Sequence, residues 1–387
     1  MTTPMKARFL FTTLLCLLLA GCALKPVQPV KGLETVALVK LADEDIPLLA
    51  DDLDAESLET AIARSLEYLE RRKAERFRFG ACEYTAADVR DGLLAFREIA
   101  RTSGVAEDRT RRLRDSFDVY KASGLDGNGT VVFTGYYEPV LNGSLEKTDR
   151  YRYPLYKPPE DLPANGAAMP YFSRREIDGG QALAGQGLEI AWVDDPVALF
   201  SLHIQGSGKI RLPEGKMLQV SFARSNNRPF RGIGRYMTDK GIIAPQDLSD
   251  RTIKKYLREH PDEQADIFYC NERYIFFRVV ENGPVGALGV TVTGGRTIAV
   301  DPGIYPQAGL SFIRLRKPAL DKEDGRNGWV PFSRFVLAQD VGAAIKGPGR
   351  IDLFCGGGDE AEMVAGSLKE KGELYFLVKK KAGCGEH

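Results

Sequence analysis

Three aspartates near the C-terminal end are the residues best suited by type and setting to acid–base chemistry. Asp301 follows TIAV, Asp340 follows FVLAQ, and Asp352 lies in RIDLFC. Each ends or interrupts an apolar run with strand character, beside small residues that let backbones approach closely. Such carboxylates can converge in a fold, although aspartate next to proline or glycine is equally a turn residue. From spacing alone both readings stand. The glycines of QDVGAAIKGPGRID and of the following GGGDEAEMVAG raise a second chemistry, phosphate binding. It fails on detail: a P-loop needs GxxxxGK and then Ser or Thr, and the surroundings of Lys346 offer neither that spacing nor the hydroxyl. His-Ile-Gln-Gly-Ser-Gly over 203–208 sets a histidine near a serine, but Gln205 breaks the GxSxG pattern of a nucleophile elbow. His203 and Ser207 stay candidates for hydrogen bonding in a groove, or parts of a plain hairpin turn. With three histidines and no HExxH, a zinc hydrolase is disfavoured.

The elements that must position these residues are mostly short. TVVFTGYYEPVL, SLHIQGSGKIRL, YIFFRVV, LGVTVTGGRTIAVD, FSRFVLAQD and ELYFLVKK are rich in β-branched and aromatic residues and are broken by glycine, which predicts strands. Gly294-Gly295 predicts a tight hairpin. From about residue 43 to 123 the pattern is mostly helical instead. Leu58, Ile62, Leu66 and Leu69 recur at helical spacing, and Thr85 with Asp88 resembles a capping box ahead of VRDGLLAFREIA. Leu113, Phe117 and Tyr120 form one more stripe, ending at Gly124. Later, only SDRTIKKYLREH and DEAEMVAGSLKEKG have helical character, the second with Asp359 as its cap. The expected fold is mainly β with N-terminal helices, built as barrels rather than as a doubly wound sheet.

The chain opens MTTPMKARFLFTTLLCLLLAGC, with a basic start (Lys6, Arg8) and an apolar run too short for an ordinary membrane span. Leu19-Ala20-Gly21-Cys22 resembles a bacterial lipobox, so residues 1–21 read as a lipoprotein signal peptide, Cys22 as the lipidation site, and 22–33 as a tether. Several acyl chains on one residue make a stable anchor, at roughly 0.8 kcal/mol per buried methylene. Ala23, where aspartate would signal inner-membrane retention, points to the periplasmic face of the outer membrane. Removing 1–21 leaves 51 basic against 53 acidic side chains. That balance does not favour nucleic acid, and a weakly charged substrate such as a saccharide is compatible with it. The mature length suggests about two domains. Cys82, Cys270, Cys355 and Cys384 show no CxxC, and the sequence does not pair them.

At this point the chain resembles the membrane-bound lytic murein transglycosylase A family. The resemblance is carried by FTGYYEP (133–139), GLEIAWVDDPVALFSLHIQGSG (187–208), RPFRGIGRYMTDKG (228–241), NERYIFFR (271–278), GVTVTGGRTIAVDPGIYPQAG (289–309) and QDVGAAIKGPGRIDLFCGGGDEAEMVAG (339–366), in family order. The helical N-terminal part matches only loosely. The resemblance implies a double-psi β-barrel catalytic domain (34–139 with 277–387) and a smaller inserted β-rich domain (140–276), with a glycan groove between them. It implies an exolytic peptidoglycan lytic transglycosylase, a carbon–oxygen lyase. Such an enzyme cleaves the β-1,4 bond between N-acetylmuramic acid and N-acetylglucosamine and leaves 1,6-anhydromuramoyl ends. Asp352 matches the family's catalytic acid, Asp340 a supporting aspartate, and Asp301 a supporting or structural one. Ile351, where some relatives carry an aromatic residue, and Ala343, where glycine is common, are departures that leave this assignment intact. For sugar binding, Tyr136, Tyr137 and Trp192 offer flat faces, while His203, Gln205, Ser207 and Lys346 offer polar contacts. No cofactor or metal is indicated. The expected partners are peptidoglycan strands and the outer-membrane lipid, in a setting compatible with a cell-wall enzyme complex. The competing readings are a hydrolytic muramidase and a non-catalytic wall-binding or wall-loosening lipoprotein.

Overall fold

The computed structural model describes residues 37–164, 169–319 and 328–384. The expected signal peptide, Cys22 and the tether lie outside the described residues. Among those described, no helix is long and apolar enough to cross a membrane.

The first part of the chain runs β1 (Leu38–Lys40), α1 (Ala55–Arg71), a hairpin of β2 (Arg76–Phe79) and β3 (Cys82–Thr85), α2 (Ala86–Thr102), α3 (Ala106–Ser116), β4 (Phe117–Ala122) and β5 (Val131–Glu138). A second stretch follows: β6 (Val140–Ser144), β7 (Tyr153–Tyr156), β8 (Glu189–Val193), α4 (Pro196–Gln205), β9 (Ser207–Arg211), β10 (Met217–Ser225), α5 (Ile233–Asp239), α6 (Asp250–Glu259), α7 (Gln264–Tyr269) and β11 (Ile275–Val279). The last part comprises β12 (Thr297–Ala299), β13 (Leu310–Pro318), β14 (Trp329–Asp340), β15 (Arg350–Gly357), α8 (Asp359–Ser367) and β16 (Lys369–Lys379).

Strands β6 to β11 form one six-stranded sheet, and the remaining long strands form the other. In the latter, β16 is long enough to use one edge twice. Its first residues pair with β5 (Lys369 opposite Thr134), and its last five pair with β4 (Tyr375 opposite Lys121). The opposite edge pairs with β13. The order β16-β13-β14-β12-β15-β5 therefore returns to β16 and closes a six-stranded barrel. Closure removes the exposed edges that an open sheet would present. Two pairings in the ring are parallel, β12 with β14 and β5 with β15.

Helices α1 and α2 clamp this barrel. Leu58, Ile62 and Leu69 of α1, and Val89, Leu93 and Phe96 of α2, belong to the same apolar core as Phe312, Phe335 and Phe376. The rings of Phe96 and Phe335 lie 4.7 Å apart between centroids. The capping box at Thr85 is present, with Thr85 Oγ1 accepting from Asp88 N and Asp88 Oδ2 accepting from Thr85 N. Arg296 is fully buried. It donates to Asp51 Oδ2 at 2.7 Å, to the Asp54 carbonyl and to the Phe335 carbonyl. Those bonds hold the segment leading into α1 against the turn before β12.

Several expected elements differ. Phe117 and Tyr120 do not continue the α3 stripe; they lie in β4, because pairing with β1 and β16 satisfies that backbone instead. The 76–85 hairpin also interrupts the helical stretch. SLHIQGSGKIRL is not one strand: Pro196 starts a helix capped by Asp195, and Gly206, at φ 84°, ends it in the left-handed region. Gly294-Gly295 lies in a turn, but β12 pairs with β14 and β15 rather than folding back as a hairpin. In DEAEMVAGSLKEKG the helix stops at Ser367 and the remainder is strand. Gly358 occupies the cap position of α8 without a side-chain bond, so Asp359 is its first helical residue rather than its cap. Helix α4 lacks the polar–apolar contrast by which α6 stands out in the sequence.

Candidate active site

Strand β12 is flanked by the two strands that carry the leading aspartates. Ala299 stands opposite Asp340 of β14 on one side and opposite Asp352 of β15 on the other. Three strands of the closed barrel thus bring Asp340 and Asp352 to one place, and both residues are partly exposed.

Their surroundings differ in kind. Asp340 accepts three hydrogen bonds: Oδ1 from the backbone amides of Ala287 (2.8 Å) and Val341 (2.9 Å), Oδ2 from the Tyr136 hydroxyl (2.7 Å). Burial raises its pKa, and these three donors pull against that rise by stabilising the charged form. Asp352 accepts one, from Thr134 Oγ1 at 2.8 Å on the neighbouring parallel strand β5. Thr134 in turn accepts from Arg350 at 3.3 Å. Burial pushes the Asp352 carboxyl up to about 6, opposed by Thr134 and Arg350 and reinforced by the negative charge of Asp340. Of the two, Asp352 is the one poised to hold a proton near neutrality and to give it up.

Asp301 is directed elsewhere. Its Oδ1 accepts from Gly303 N and its Oδ2 from Gly347 N at 3.0 Å, so it joins the turn after β12 to the loop before β15. Lys346 is exposed, with Nζ 3.9 Å from Asp301 Oδ1. This pair braces the loop that leads to Asp352.

Residues 136–139 carry the chain from the barrel into the six-stranded sheet with only Pro139 between β5 and β6. Tyr136 packs its ring on Phe354, 5.1 Å between centroids, while its hydroxyl serves Asp340. Tyr137 is buried; its amide donates to Gln205 Oε1, and its hydroxyl accepts from Lys254 Nζ at 2.7 Å. Lys254 also donates to Glu362 of α8, so α6 and α8 meet over this crossing. Gly135 lets α8 sit this close, since a Cβ there would lie 2.7 Å from the Ala365 Cα.

The polar groups expected in a groove divide accordingly. Gln205 is partly exposed and tied to the crossing. Trp192 is partly exposed on β8, with Lys147 Nζ 5.2 Å from its ring centre. His203 and Ser207, in contrast, are buried. His203 contacts Arg174 and lies edge-on to Tyr274 and Phe277, and burial followed by the Arg174 charge drives its pKa well below the usual value. Ser207 pairs with Ser221 inside the sheet. Thr134 was not singled out in the sequence. Its only mark there is a hydroxyl within an apolar strand, and its partner is 218 residues away.

Residues 132–278 match the model of the MltA specific insert domain, and 296–378 match that of the 3D domain. The membrane-bound lytic murein transglycosylase A of Escherichia coli K12 is 32% identical over 272 residues, covering 69% of this chain and 71% of the relative. This chain belongs to the membrane-bound lytic murein transglycosylase A family. The family member of Vibrio cholerae is 28% identical over 257 residues, covering 66% of this chain and 67% of its own. Among solved structures, a membrane-bound lytic murein transglycosylase from Agrobacterium tumefaciens is 32% identical with a TM-score of 0.72, over 89% of this chain and 98% of that one. The E. coli family member with bound chitohexaose also superposes at 0.72, with 25% identity over 92% and 98% of the two chains. The likeness to these family structures spans the six-stranded sheet as well as the barrel.

Proposed function

We propose that this protein is a peptidoglycan lytic transglycosylase in which Asp352 alone serves as acid and then base. The observation that carries this reading is the contrast between the carboxyls: Asp352 is held up to about 6, beside an Asp340 already engaged by three donors. Hydrolysing glycosidases use one carboxyl as acid and a second to attack or to activate water. Asp340, with its oxygens engaged by two backbone amides and a tyrosine, is better suited to holding charge than to that second role. An intramolecular reaction does not require it. Protonated Asp352 gives its proton to the oxygen linking N-acetylmuramic acid to N-acetylglucosamine, and the C1–O bond breaks. The muramic acid C6 hydroxyl then attacks C1 while its proton passes to the Asp352 carboxylate, closing a 1,6-anhydro ring and regenerating the acid. Because the attacking hydroxyl is on the substrate itself, most of the entropic cost of bringing it close is removed beforehand.

The barrel is read as double-psi, which the two parallel pairings in its ring support. Its catalytic part is 34–139 with 277–387, and 140–276 is the inserted substrate-binding part, in keeping with which strands share each sheet. Glycan binding is supported by the chitohexaose bound to the E. coli relative, and a groove between the two parts is where this reading puts it. Tyr136 and Asp301 then act as positioning residues, and Trp192, Gln205 and Lys346 remain candidate sugar contacts. The lipobox supports anchoring through Cys22 at the periplasmic face of the outer membrane, and the relatives' names, which say membrane-bound, support membrane association.

Digestion of purified sacculi followed by mass spectrometry tests the chemistry. Anhydromuropeptides are expected. Reducing muropeptides heavier by one water would establish the muramidase instead, and binding without soluble product a wall-binding lipoprotein.

A further inference from the structure

The four cysteines among the described residues do not stand alike. Cys270 follows α7 and Cys355 lies on β15. Cys82, at the start of β3, and Cys384, in the C-terminal turn, both pack on the edge of the main core, and Lys381 pins that turn against Asp88 and Tyr84 beside the hairpin. They are separated by 302 residues of chain. We propose that Cys82 and Cys384 form a disulfide that fastens the C-terminal turn to the β2–β3 hairpin.

The approach of the two thiols is built by other bonds. Lys380 N donates to the Ser116 carbonyl at 2.9 Å, carrying β16 past the end of α3. Lys381 Nζ then reaches Asp88 Oδ2 at 2.9 Å and lies 5.5 Å from the centre of the Tyr84 ring. Asp88 belongs to the cap of α2, directly after β3, so this ion pair fixes the turn beside the hairpin that holds Cys82. The Cys384 amide donates back to the Lys381 carbonyl at 3.2 Å, closing the turn toward Cys82. Both cysteines are partly exposed, so an oxidant can reach them. Burial and the neighbouring thiol push Cys82 up to about 11, which makes it a slow nucleophile but does not prevent the bond.

The reaction is thiol–disulfide exchange with a low-molecular or protein disulfide. One cysteine thiolate attacks a sulfur of that disulfide and expels the other sulfur as thiolate, giving a mixed disulfide. The second cysteine thiolate attacks the protein sulfur of the mixed disulfide and expels the remaining oxidant thiolate. Two protons leave the cysteines, two electrons reduce the oxidant to two thiols, and one S–S bond joins residues 82 and 384. Because β16 closes the barrel ring, the link fastens the end of the closing strand to the helical clamp. This pairing is independent of the transglycosylase reading and of Asp352.

Purified protein equilibrated with oxidised and reduced glutathione, alkylated and digested with trypsin tests it directly. The expected product is peptide 79–90 joined to 382–387, lighter by two hydrogens than the sum of the reduced pair. Reduction should lower Tm by about 5 °C, as expected for cross-linking so long a loop. Cys82→Ser and Cys384→Ser should each abolish that response, whereas Cys355→Ser should retain it. Both cysteines remaining alkylatable after oxidation, or cross-links to Cys270 or Cys355 instead, would overturn the assignment.

Discussion

The closed barrel and the six-stranded sheet both place polar residues among apolar strands, but they treat them differently. On β14 and β15, Asp340 and Asp352 are only partly buried residues. On α4 and β9, His203 and Ser207 are closed off by Tyr274, Phe277 and the sheet itself. A polar side chain that is sealed in contributes to specifying the fold, and one that is half-open can meet a ligand. Burial cost explains the difference: an unpaired buried charge is expensive, so His203 stays neutral, while Asp352 remains titratable near neutrality.

The largest effect expected of any substitution on this contrast is at Asp352. Asp352→Asn removes the proton donor and should lower the lytic rate by roughly 10²–10⁴-fold while sacculus binding persists. Full activity in that variant, measured by release of soluble muropeptides, would remove the barrel side of the comparison. Asp340→Asn should cost roughly tenfold or more, as loss of a positioned charge beside the acid. It should also shift the pH profile. Wild-type activity that requires protonated Asp352 falls as pH rises through about 6. Removing the Asp340 charge, which raises that pKa, moves the fall to lower pH.

His203→Ala tests the other side. It should reduce stability by about 2 kcal/mol through a buried cavity and lost contacts, with kcat of the folded protein changed less than about twofold. The measurements are thermal unfolding and activity on the same sample, and a raised KM at unchanged Tm would make His203 a ligand contact. In wild type, a histidine held neutral by burial binds fewer protons folded than unfolded. Its contribution is therefore complete above the ordinary histidine pKa and declines as pH falls below it. The smallest effect is at Thr134. Thr134→Val removes a bond that favours charged Asp352, so the falling limb should move to higher pH with the maximal rate changed by less than about tenfold. A limb moving to lower pH would contradict the hydrogen-bonding account.

Much of the barrel was legible because its strands are dense in β-branched and aromatic residues, and α1, α2 and α6 because their apolar faces repeat every turn. Phe117 and Tyr120 were misread since their spacing also fits a helix, and only pairing with β16, more than 250 residues away, decides for β4. HIQGSG misled for the opposite reason: a helix that is apolar nearly all round leaves no alternating face to detect, so α4 reads as strand. At the site, Asp340 and Asp352 stood out by type and position. Thr134 did not, because an isolated threonine in a strand has no local feature that names its partner.

By itself the sequence determined the mainly β character, the lipobox-like pattern around Cys22, the family resemblance and the aspartates worth testing. These follow from local composition, spacing and motif, which the chain carries without folding. Only the tertiary structure decided which carboxyl is pushed up to about 6 by burial, which polar residues are sealed, and which chain segments lie side by side. Each of those depends on what distant strands place within a few ångströms, where desolvation and hydrogen bonding act.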